Sequence, residues 1–458
     1  MSVPQYRKVA AAALAAGLGL SLAACSTKSD DSGDAGDKVT ITVDCQPVGA
    51  QKELLKNWND DVAEFQRQNP TIVVKSVSVG EQCNNPPDFT ARLAGGTVTD
   101  VFYGYMTDLQ QVLDSGQAMD ITEYATKDTI PTWDSVDPAL KEVFTDSGKL
   151  YGIPVKNYSM GLIYNKALFQ RAGLDVNNPP KTWPEVRAAA KKISALGGGV
   201  AGYSEYSAGN TGGWHFTSLL YSQGGQVLTA DGKKADFNNA AGKQVLQNLK
   251  DMRYGDNSMG SRQLLQWGDL LTNAGAGKVG MFIGAPDATQ AIVSQFQGKY
   301  QDWAMGPLPG QDGPAKATLG GGEGYFFKKG LSPEQVKAGL KWIAYQKLTP
   351  GKGQFDYARA KPQNYPVGLP QPLLFTNGSD AQKQELDLRK ANANVDTTNF
   401  AAFEANPVPI KGEPRNAQAI YAVLDGAMSG VLTNPNANVD ALLKTAEDKV
   451  NQLLAAES

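Results

Sequence analysis

The sequence is poor in the residue types that most catalytic and metal sites require. Its 458 residues include a single histidine, His215, and three cysteines. One histidine excludes any site with two or more histidine ligands, and a Ser-His-Asp or Cys-His enzyme would depend on that residue. The chain also lacks the Walker A, GxSxG and HExxH motifs. These absences argue against the common NTPase, α/β-hydrolase and zinc-protease sites.

Charge and hydrophobicity narrow the class of protein further. The 43 Lys and Arg residues are balanced by 46 Asp and Glu residues, which gives a formal net charge of −3. No basic surface is predicted, so nucleic-acid binding is not expected. Hydrophobic residues form 41% of the chain and charged residues 19%. This balance is typical of a folded globular protein, and the length predicts about two to four domains or lobes.

The longest apolar run lies at the N-terminus and has the features of an export signal. Basic residues precede the run 9–22, which is followed by Cys25 in the sequence LAAC. The run is too short to span a bilayer comfortably, and small residues end it, as at a cleavage site. Cysteine directly after Leu-Ala-Ala resembles the bacterial lipobox, which implies a signal peptide over 1–24 and lipid attachment to Cys25. An ordinary signal peptide with a coincidental cysteine is the alternative.

The segment 25–37 is polar, acidic and rich in Ser, Gly and Asp. It has too few apolar residues to form a core, so it is predicted to be a flexible tether. Tether and lipid together predict a protein anchored on the extracellular face of the cell membrane. In such an exported chain Cys45 and Cys83 are expected to form a disulfide, with two buried free thiols as the alternative. Two thiols without histidine make a poor zinc site, and no metal or other cofactor is predicted.

Strands and helices alternate along the rest of the chain. The run 39–43 is β-branched, which predicts a strand, and apolar residues at helical spacing predict a helix over 52–69. Strand character returns over 71–79, and a helix and a buried strand follow near 89–93 and 100–103. This order predicts an α/β fold with a largely parallel sheet. Downstream, strands are predicted at 162–164 and 277–283 and helices at 183–195, 333–346, 416–432 and 439–454.

A glycine-rich stretch over 197–202 matches the GxGxxG pattern of dinucleotide-binding folds. Such a site requires a strand before the glycines and a helix after them. Here a helix is predicted before the glycines and a strand after them, over 201–203. Because the order is reversed, the stretch is predicted to be a helix stop and a loop.

Four motifs, taken in order, resemble the family 1 extracellular solute-binding proteins, the maltose-binding-protein-like receptors of carbohydrate ABC importers. The motifs are GKLYGIPV at 148–155 with YNK at 164–166, GLD at 173–175 with PPKTWPE at 179–185, GKVGM at 277–281, and PLP at 307–309 with LGGG at 319–322. The family more often has Asp at the position of Pro184. This position lies at a predicted helix start, so the difference puts no functional residue in doubt. The resemblance runs from about Val39 to Leu454.

The resemblance implies a two-lobed α/β fold of the type II periplasmic-binding-protein class, with the ligand cleft between the lobes. The implied N-lobe covers 38–154 and 324–349, and the implied C-lobe covers 155–323 and 350–458. Three crossover segments are implied near 153–156, 320–324 and 348–351, together with hinge closure around the ligand. The implied partners are a carbohydrate ligand and ABC permease subunits. The protein is expected to be a monomer that contacts the membrane through its lipid anchor.

Sugar chemistry and the resemblance together select the candidate site residues. A pyranose has apolar faces that suit aromatic rings and a rim of hydroxyls that suits carboxylates, amides and backbone groups. In open α/β sheets ligands lie beyond the carboxyl ends of strands, so residues just after predicted strands are candidates. The candidates are Gln46, Tyr103, Tyr105, Asp108, Asn157, Tyr158, Trp214, His215, Trp267, Asp287, Gly321 and Glu323.

Several of these residues could instead have a purely structural role. Trp214 has the strongest expectation of ligand contact, because the family commonly has a stacking aromatic residue there, and core packing is its alternative. Relatives often have tryptophan after the GKVGM strand and this chain does not, so Trp267 or Trp303 is considered as a substitute stacking surface. Gln46 could instead be a turn residue, and Lys156 could simply be exposed to solvent. His215 could be a structural residue of the core, and Asp287 could cap the helix that follows it.

The predicted function is a receptor that binds a mono- or oligosaccharide between its lobes and delivers it to a membrane permease, without catalysis. A receptor of the same fold for another solute, such as a polyol phosphate or a peptide, is the first alternative. The second is a secreted glycoside hydrolase, which needs two carboxylates flanking the scissile bond. No such acid pair is recognisable near the aromatic residues, which argues against hydrolysis.

Overall fold

The computed structural model describes residues 38–80, 83–363, 365–370 and 374–456. Cys25, the predicted signal peptide and the predicted tether lie outside these residues. The chain from Lys38 to Ser458 belongs to one compact unit. Within the described ranges, no helix combines the length and the apolar character needed to cross a bilayer.

Strands and helices alternate as the sequence predicts. The strands are β1 (Val39–Val43), β2 (Ile72–Ser76), β3 (Val101–Tyr105), β4 (Thr145–Asp146), β5 (Lys149–Leu150), β6 (Gly152–Ser159), β7 (Gly161–Asn165), β8 (Ala201–Tyr203), β9 (Val279–Gly284), β10 (Trp303–Gly306), β11 (Thr318–Phe327) and β12 (Ile410–Lys411). The α-helices are α1 (Lys52–Gln68), α2 (Pro86–Ala94), α3 (Leu109–Asp114), α4 (Pro138–Val143), α5 (Lys166–Arg171), α6 (Trp183–Ser194), α7 (Thr211–Ser222), α8 (Ala240–Lys250), α9 (Trp267–Gly275), α10 (Asp287–Phe296), α11 (Pro333–Ile343), α12 (Tyr357–Ala360), α13 (Asp380–Ala391), α14 (Ala401–Glu404), α15 (Ala417–Thr433) and α16 (Val439–Ala456). Single π-helical turns follow α8 and α11.

Helix α6 shows how the local sequence sets an element's start. The Thr182 hydroxyl accepts a hydrogen bond from the Glu185 N–H, and the Glu185 carboxylate accepts one from the Thr182 N–H at 3.1 Å. This capping box satisfies backbone donors that have no partner within the first turn. Pro184 lies in that turn and has no N–H to leave unpaired, so the departure from the family pattern fits a helix start.

Two mixed sheets form the framework of the fold. The first has the strand order β12-β11-β3-β1-β2, with β6 also paired to β11, and the second has the order β10-β7-β9-β8. Strands β1, β2 and β3 pair in parallel, whereas β11 is antiparallel to both β3 and β6. The expected parallel pairing is confirmed for β1, β2 and β3, but each sheet as a whole is mixed rather than largely parallel. The reason is topological, because the chain leaves the first buried cluster along β6 and returns along β11.

The buried apolar residues distinguish two lobes. One cluster draws on 41–155, 325–348 and 374–381. The clusters around the second sheet draw on 160–319 and 420–450 and include Leu369, Val395 and Phe400. Strands β6 and β11 each extend from the first cluster to the second. Two of the expected crossover segments therefore lie in paired strands, whose register shifts between Glu323 and Gly324.

The chain after α11 differs from the expectation. Phe355 packs against the first cluster, so the crossing expected at 348–351 does not occur there. Leu369 contributes to the core of the second lobe, but Phe375 belongs again to the first cluster. The segment 350–458 is thus not confined to the second lobe. Leu369 and Phe375 thus pack into different cores, a long-range arrangement that no sequence period reveals. The remaining lobe boundaries stay predictions.

Candidate ligand-binding cleft

A cavity of about 460 Å³ lies where β6 and β11 cross between the lobes. Both lobes and both strands contribute to its wall. The lining residues are Asn84, Tyr105, Thr107, Lys156, Asn157, Tyr158, Gly209, Asn210, Thr211, Trp214, Ala285, Pro286, Asp287, Gly322, Glu323, Glu413, Gln418 and Tyr421. We call this the aromatic cavity. Its volume lies within the range of about 300–1,000 Å³ that is typical of small-molecule sites.

Helix α7 carries Trp214 to this cavity, and its N-terminus is fixed by a carboxylate from α15. Asp425 accepts hydrogen bonds from the N–H groups of Asn210 and Gly213, each at 2.7 Å. Gly213 lies against α15 so closely that a Cβ there would be 2.3 Å from the carbonyl oxygen of Tyr421. The glycine therefore serves close helix packing rather than a turn, and this packing sets the position of Trp214.

The indole of Trp214 is held in one orientation by its neighbours. Its Nε1–H donates to the hydroxyl of Tyr158 at 3.1 Å. The ring stacks on His215 with a centroid separation of 5.2 Å and meets the Tyr158 ring edge-on at 6.0 Å. An aromatic surface fixed in advance loses little freedom when a ligand stacks on it, so this geometry suits sugar binding.

His215 lies behind Trp214 and does not line the aromatic cavity. It does not line the larger cavity beside it either, which is described below. It is fully buried, and its Nδ1 is hydrogen-bonded to the Glu205 carboxylate. Burial lowers the pKa of His215 to about 3, so the ring is neutral at physiological pH. The prediction of a direct ligand contact does not fit this position. A structural role does fit, because the imidazole supports the face of Trp214.

Asp108 also differs from the prediction of a direct contact. Its Oδ2 accepts hydrogen bonds from the Asn84 Nδ2–H at 2.7 Å and the Tyr105 N–H at 2.8 Å. Burial raises the pKa of this carboxyl to about 6. Asp108 thus orients two residues that line the aromatic cavity. In the described part of the chain, Asn84 Oδ1 and Thr107 Oγ1 have no hydrogen-bond partner, and both residues line that cavity.

Four further candidates lie outside the aromatic cavity. Gln46 lines neither cavity, and Trp267 packs on Tyr206 with ring centroids 4.9 Å apart. Tyr103 is buried and lines the neighbouring cavity. Gly321 leaves room for two side chains that line the aromatic cavity. A Cβ at this position would lie 2.6 Å from Glu413 Oε2 and 2.7 Å from the hydroxyl oxygen of Tyr158. Trp303, the considered substitute stacking surface, is buried in the second-lobe core.

The structure does bring Tyr105, Asn157, Tyr158, Trp214, Asp287 and Glu323 together around one cavity. Lys156 and Glu323 face each other across β6 and β11, with Nζ and Oε1 3.3 Å apart. Asp287 is exposed in the first turn of α10 and lines the cavity. The helix-cap role is not observed, because Pro286 occupies the N-cap position and no side chain of the described residues caps this helix. The region around the crossing strands is therefore the part of the site that the sequence predicted best.

Residues near the start of α15 were missed by the sequence. Glu413, Gln418 and Tyr421 line the aromatic cavity, and the Tyr421 hydroxyl donates to Glu413 Oε1 at 3.1 Å. Burial raises the pKa of Glu413 to about 7. The acid and the tyrosine are visible in the sequence, but helical periodicity shows only that α15 forms. It does not show that the start of this helix reaches the crossing strands.

A second cavity, of about 800 Å³, shares Tyr105, Lys156, Asn157 and Glu323 with the first. We call it the side cavity. Its further walls come from α1, the turn after α11, the segments 353–363 and 365–369, and α13. Cys45 and Cys83 line it and form the predicted disulfide. Among the described residues, no cluster of His, Cys, Asp and Glu is arranged to hold a metal ion.

Comparison with known proteins identifies the family. The family model for bacterial extracellular solute-binding proteins matches residues 50–347. This chain belongs to that family. The sn-glycerol-3-phosphate-binding periplasmic protein UgpB of Brucella abortus (strain 2308) is 29% identical to this solute-binding protein over 316 residues. The match covers 63% of this chain and 66% of that relative, which is just under two thirds of its length.

Solved structures show the fold of this solute-binding protein. A solute-binding protein of an ABC transporter from Thermotoga lettingae, bound with alpha-D-tagatose, matches with a TM-score of 0.70 and 21% identity, covering 92% of this chain and all of that one. The GacH receptor of Streptomyces glaucescens, solved unliganded and with acarbose, matches with a TM-score of 0.69 and 19% identity. The match covers 91% of this chain and 98% of that one. The resemblance and the two-lobed type II fold predicted from the sequence are confirmed.

Proposed function

We propose that this solute-binding protein is the receptor of an ABC importer and binds a mono- or oligosaccharide in the aromatic cavity. One observation carries the proposal: the rings of Trp214, Tyr158 and Tyr421 share a cavity with the carboxylates of Glu323 and Glu413. Aromatic rings suit the apolar faces of a sugar, and carboxylates accept hydrogen bonds from its hydroxyls. Tagatose and acarbose, the ligands of the two similar structures, support the same chemistry.

A receptor for a polyol phosphate is the second candidate, and the name of the Brucella relative favours it. The charge of the aromatic cavity favours a sugar ring there instead. Asp287, Glu323 and Glu413 line it against one amino group, that of Lys156. Ionised acids at this density disfavour a phosphate, even though Glu413, with its pKa of about 7, is only partly ionised at neutral pH. All three acids can form hydrogen bonds with sugar hydroxyls. A phosphate bound in the aromatic cavity itself is therefore disfavoured.

The proposal includes no catalytic step, in keeping with a family of binding proteins. The candidate acids already have structural partners, since Glu323 pairs with Lys156 and Glu413 accepts from Tyr421. Incubation with oligosaccharides followed by a reducing-end assay tests the point. Release of new reducing ends by the purified protein would support a glycoside hydrolase instead.

Calorimetric titration of the folded protein tests the function. The ligands are alpha-D-tagatose, maltotriose, acarbose and sn-glycerol 3-phosphate, each at the same pH and ionic strength. We expect at least one of the sugars to bind with a Kd of about 1 μM or below, which corresponds to about −8 kcal/mol. Binding of sn-glycerol 3-phosphate alone would replace the carbohydrate proposal by the second candidate.

Lipid attachment at Cys25 is part of the proposal. The sequence LAAC at 22–25 and the polar tether over 25–37 support it. We expect Cys25→Ala to move the protein from the membrane fraction to the soluble fraction of the producing cells, because the acyl chains are lost. Immunoblots of the two fractions measure this, with Ser26→Ala, at the next position of the chain, as the matched control. A Cys25→Ala protein that stays in the membrane fraction contradicts the lipid anchor.

Ligand-induced closure of the lobes is the mechanism we propose for recognition by the permease. Strands β6 and β11 connect the lobes, and their register shift between Glu323 and Gly324 adjoins the cavity. A ligand that contacts both lobes favours the closed arrangement. Small-angle scattering is expected to give a smaller radius of gyration with saturating sugar than without it. An unchanged radius for a protein shown to be saturated contradicts closure.

A further inference from the structure

The side cavity contains charged side chains that pair with one another, with one exception. The pairs that line it are Arg359 with Asp61 at 2.7 Å and with Asp356 at 3.8 Å, Arg389 with Glu385 at 3.3 Å, and Lys156 with Glu323 at 3.3 Å. Lys347 lines the same cavity. Throughout the described ranges, the amino group of Lys347 has neither an ion pair nor a hydrogen bond.

The backbone around Lys347 is firmly held. The residue lies in the π-helical turn Ala344–Leu348, and Leu348 is fully buried in the first-lobe core. The carbonyl oxygen of Lys347 accepts a hydrogen bond from Gln354 Nε2 at 2.5 Å. Burial lowers the pKa of the Lys347 amine to about 8. Glu323 and Asp61 attract this amine from a distance, but neither forms an ion pair with it. A partly desolvated ammonium group without a direct partner is costly, and a ligand anion would reduce that cost.

The two cavities adjoin each other, because Tyr105, Lys156, Asn157 and Glu323 line both. A ligand that stacks on Trp214 and extends past these shared residues would enter the cavity that Lys347 lines. We propose that the side cavity holds an anion-binding subsite centred on Lys347, which takes a phosphate or carboxylate group carried by the bound carbohydrate. This inference rests on the proposed function and names the chemical class of its ligand.

The charges of the two cavities give such a ligand one direction. The carboxylates of Asp287 and Glu413 line the aromatic cavity alone, whereas Lys347 lines the side cavity alone. The hydroxyl-bearing ring is therefore favoured at Trp214 and the anionic group at Lys347. The reversed orientation would bring an anion beside Asp287 and the partly ionised Glu413, and would leave the Lys347 ammonium group without an ion pair. The acids that line the side cavity alone are, by contrast, already paired with arginines.

The test compares four proteins: the unsubstituted protein, Lys347→Met, Lys347→Arg and Lys352→Met. Methionine keeps the length of the side chain and removes its charge, whereas arginine keeps the charge. Lys352 is exposed and lines neither cavity, so Lys352→Met is the matched control. Thermal melts establish that each variant is folded. Calorimetric titrations then use glucose, glucose 6-phosphate, glucuronate and inorganic phosphate at constant ionic strength.

We expect glucose 6-phosphate or glucuronate to bind more tightly than glucose to the unsubstituted protein. Lys347→Met should weaken that acidic ligand by roughly 10- to 100-fold, the effect of losing a hydrogen bond to a charged group, and leave glucose unaffected. Lys347→Arg should retain most of the affinity, and Lys352→Met all of it. The preferred acidic sugar distinguishes a phosphate group from a carboxylate.

The subsite and the carbohydrate function fail separately. Anionic probes that bind no better than glucose, or that bind Lys347→Met and the unsubstituted protein alike, overturn the subsite. The absence of binding by every anionic probe overturns it too. Sugar binding without any preference for an anion leaves the proposed function standing. Inorganic phosphate bound through Lys347, with none of the neutral sugars of either titration bound, supports the subsite and contradicts carbohydrate recognition.

Discussion

Replacing Trp214 by alanine is expected to weaken sugar binding by roughly 30- to 1,000-fold, as at other aromatic binding hot spots. The indole supplies the large flat apolar face of the cavity, and Tyr158 and His215 hold it in place before the ligand arrives. Alanine removes the stacking surface and also leaves the Tyr158 hydroxyl without its donor. Calorimetric titration with the tightest-binding sugar of the panel measures the loss.

Trp267→Ala is the matched control for this experiment. Trp267 belongs to the same aromatic group through Tyr206, but it lines neither cavity, so its removal should leave the affinity unchanged. Melting temperatures of both ligand-free variants show whether the fold is intact. A folded Trp214→Ala protein with near-original affinity contradicts the stacking role, and Tyr105 and Tyr158 would become the leading candidates.

Removing the disulfide is expected to lower the free energy of unfolding of the first lobe by about 4 kcal/mol in the chain-entropy model. The bond between Cys45 and Cys83 closes a loop of 38 residues that contains β2 and α1. It also fixes the residue before Asn84, whose side chain lines the aromatic cavity. We therefore expect the double substitution Cys45→Ser, Cys83→Ser to weaken sugar binding as well.

Urea unfolding followed by fluorescence measures the change in stability. A reducing agent provides the internal control, because it should destabilise the original protein and leave the doubly substituted protein unaffected. Equal unfolding midpoints for the two proteins under oxidising conditions would show that the bond contributes no stability. Free thiols at both cysteines, detected by mass spectrometry of oxidised protein, would show that the bond does not form.

Local sequence patterns predicted the elements of the fold well. The strand at 39–43 and the helices starting at 183 and 439 follow from side-chain spacing and caps within each element. The pairing of strands that are distant in the chain could not be predicted from these local patterns. The antiparallel pairing of β11 depends on where the chain returns from the second lobe, and the positions of Leu369 and Phe375 depend on two different cores. Neither leaves a periodic signal.

The site was predicted in part for the same reason. Residues just after strands could be chosen by topology, and Tyr158 and Trp214 do line the aromatic cavity. The sequence does not show which side chains are hydrogen-bonded to each other. It therefore cannot distinguish a residue that contacts the ligand from one that holds such a residue in place. Asp108 orients Asn84, and His215 supports Trp214. Glu413 was overlooked because it lies in an irregular segment whose position depends on the packing of α15 against α7.

A crystal structure of the protein with its tightest-binding solute tests the central claim most directly. The account predicts electron density for a sugar ring stacked on Trp214 and hydrogen-bonded to Glu413 or Glu323, between lobes joined by β6 and β11. A solute without a sugar ring, or one bound outside the two adjoining cavities, would contradict it.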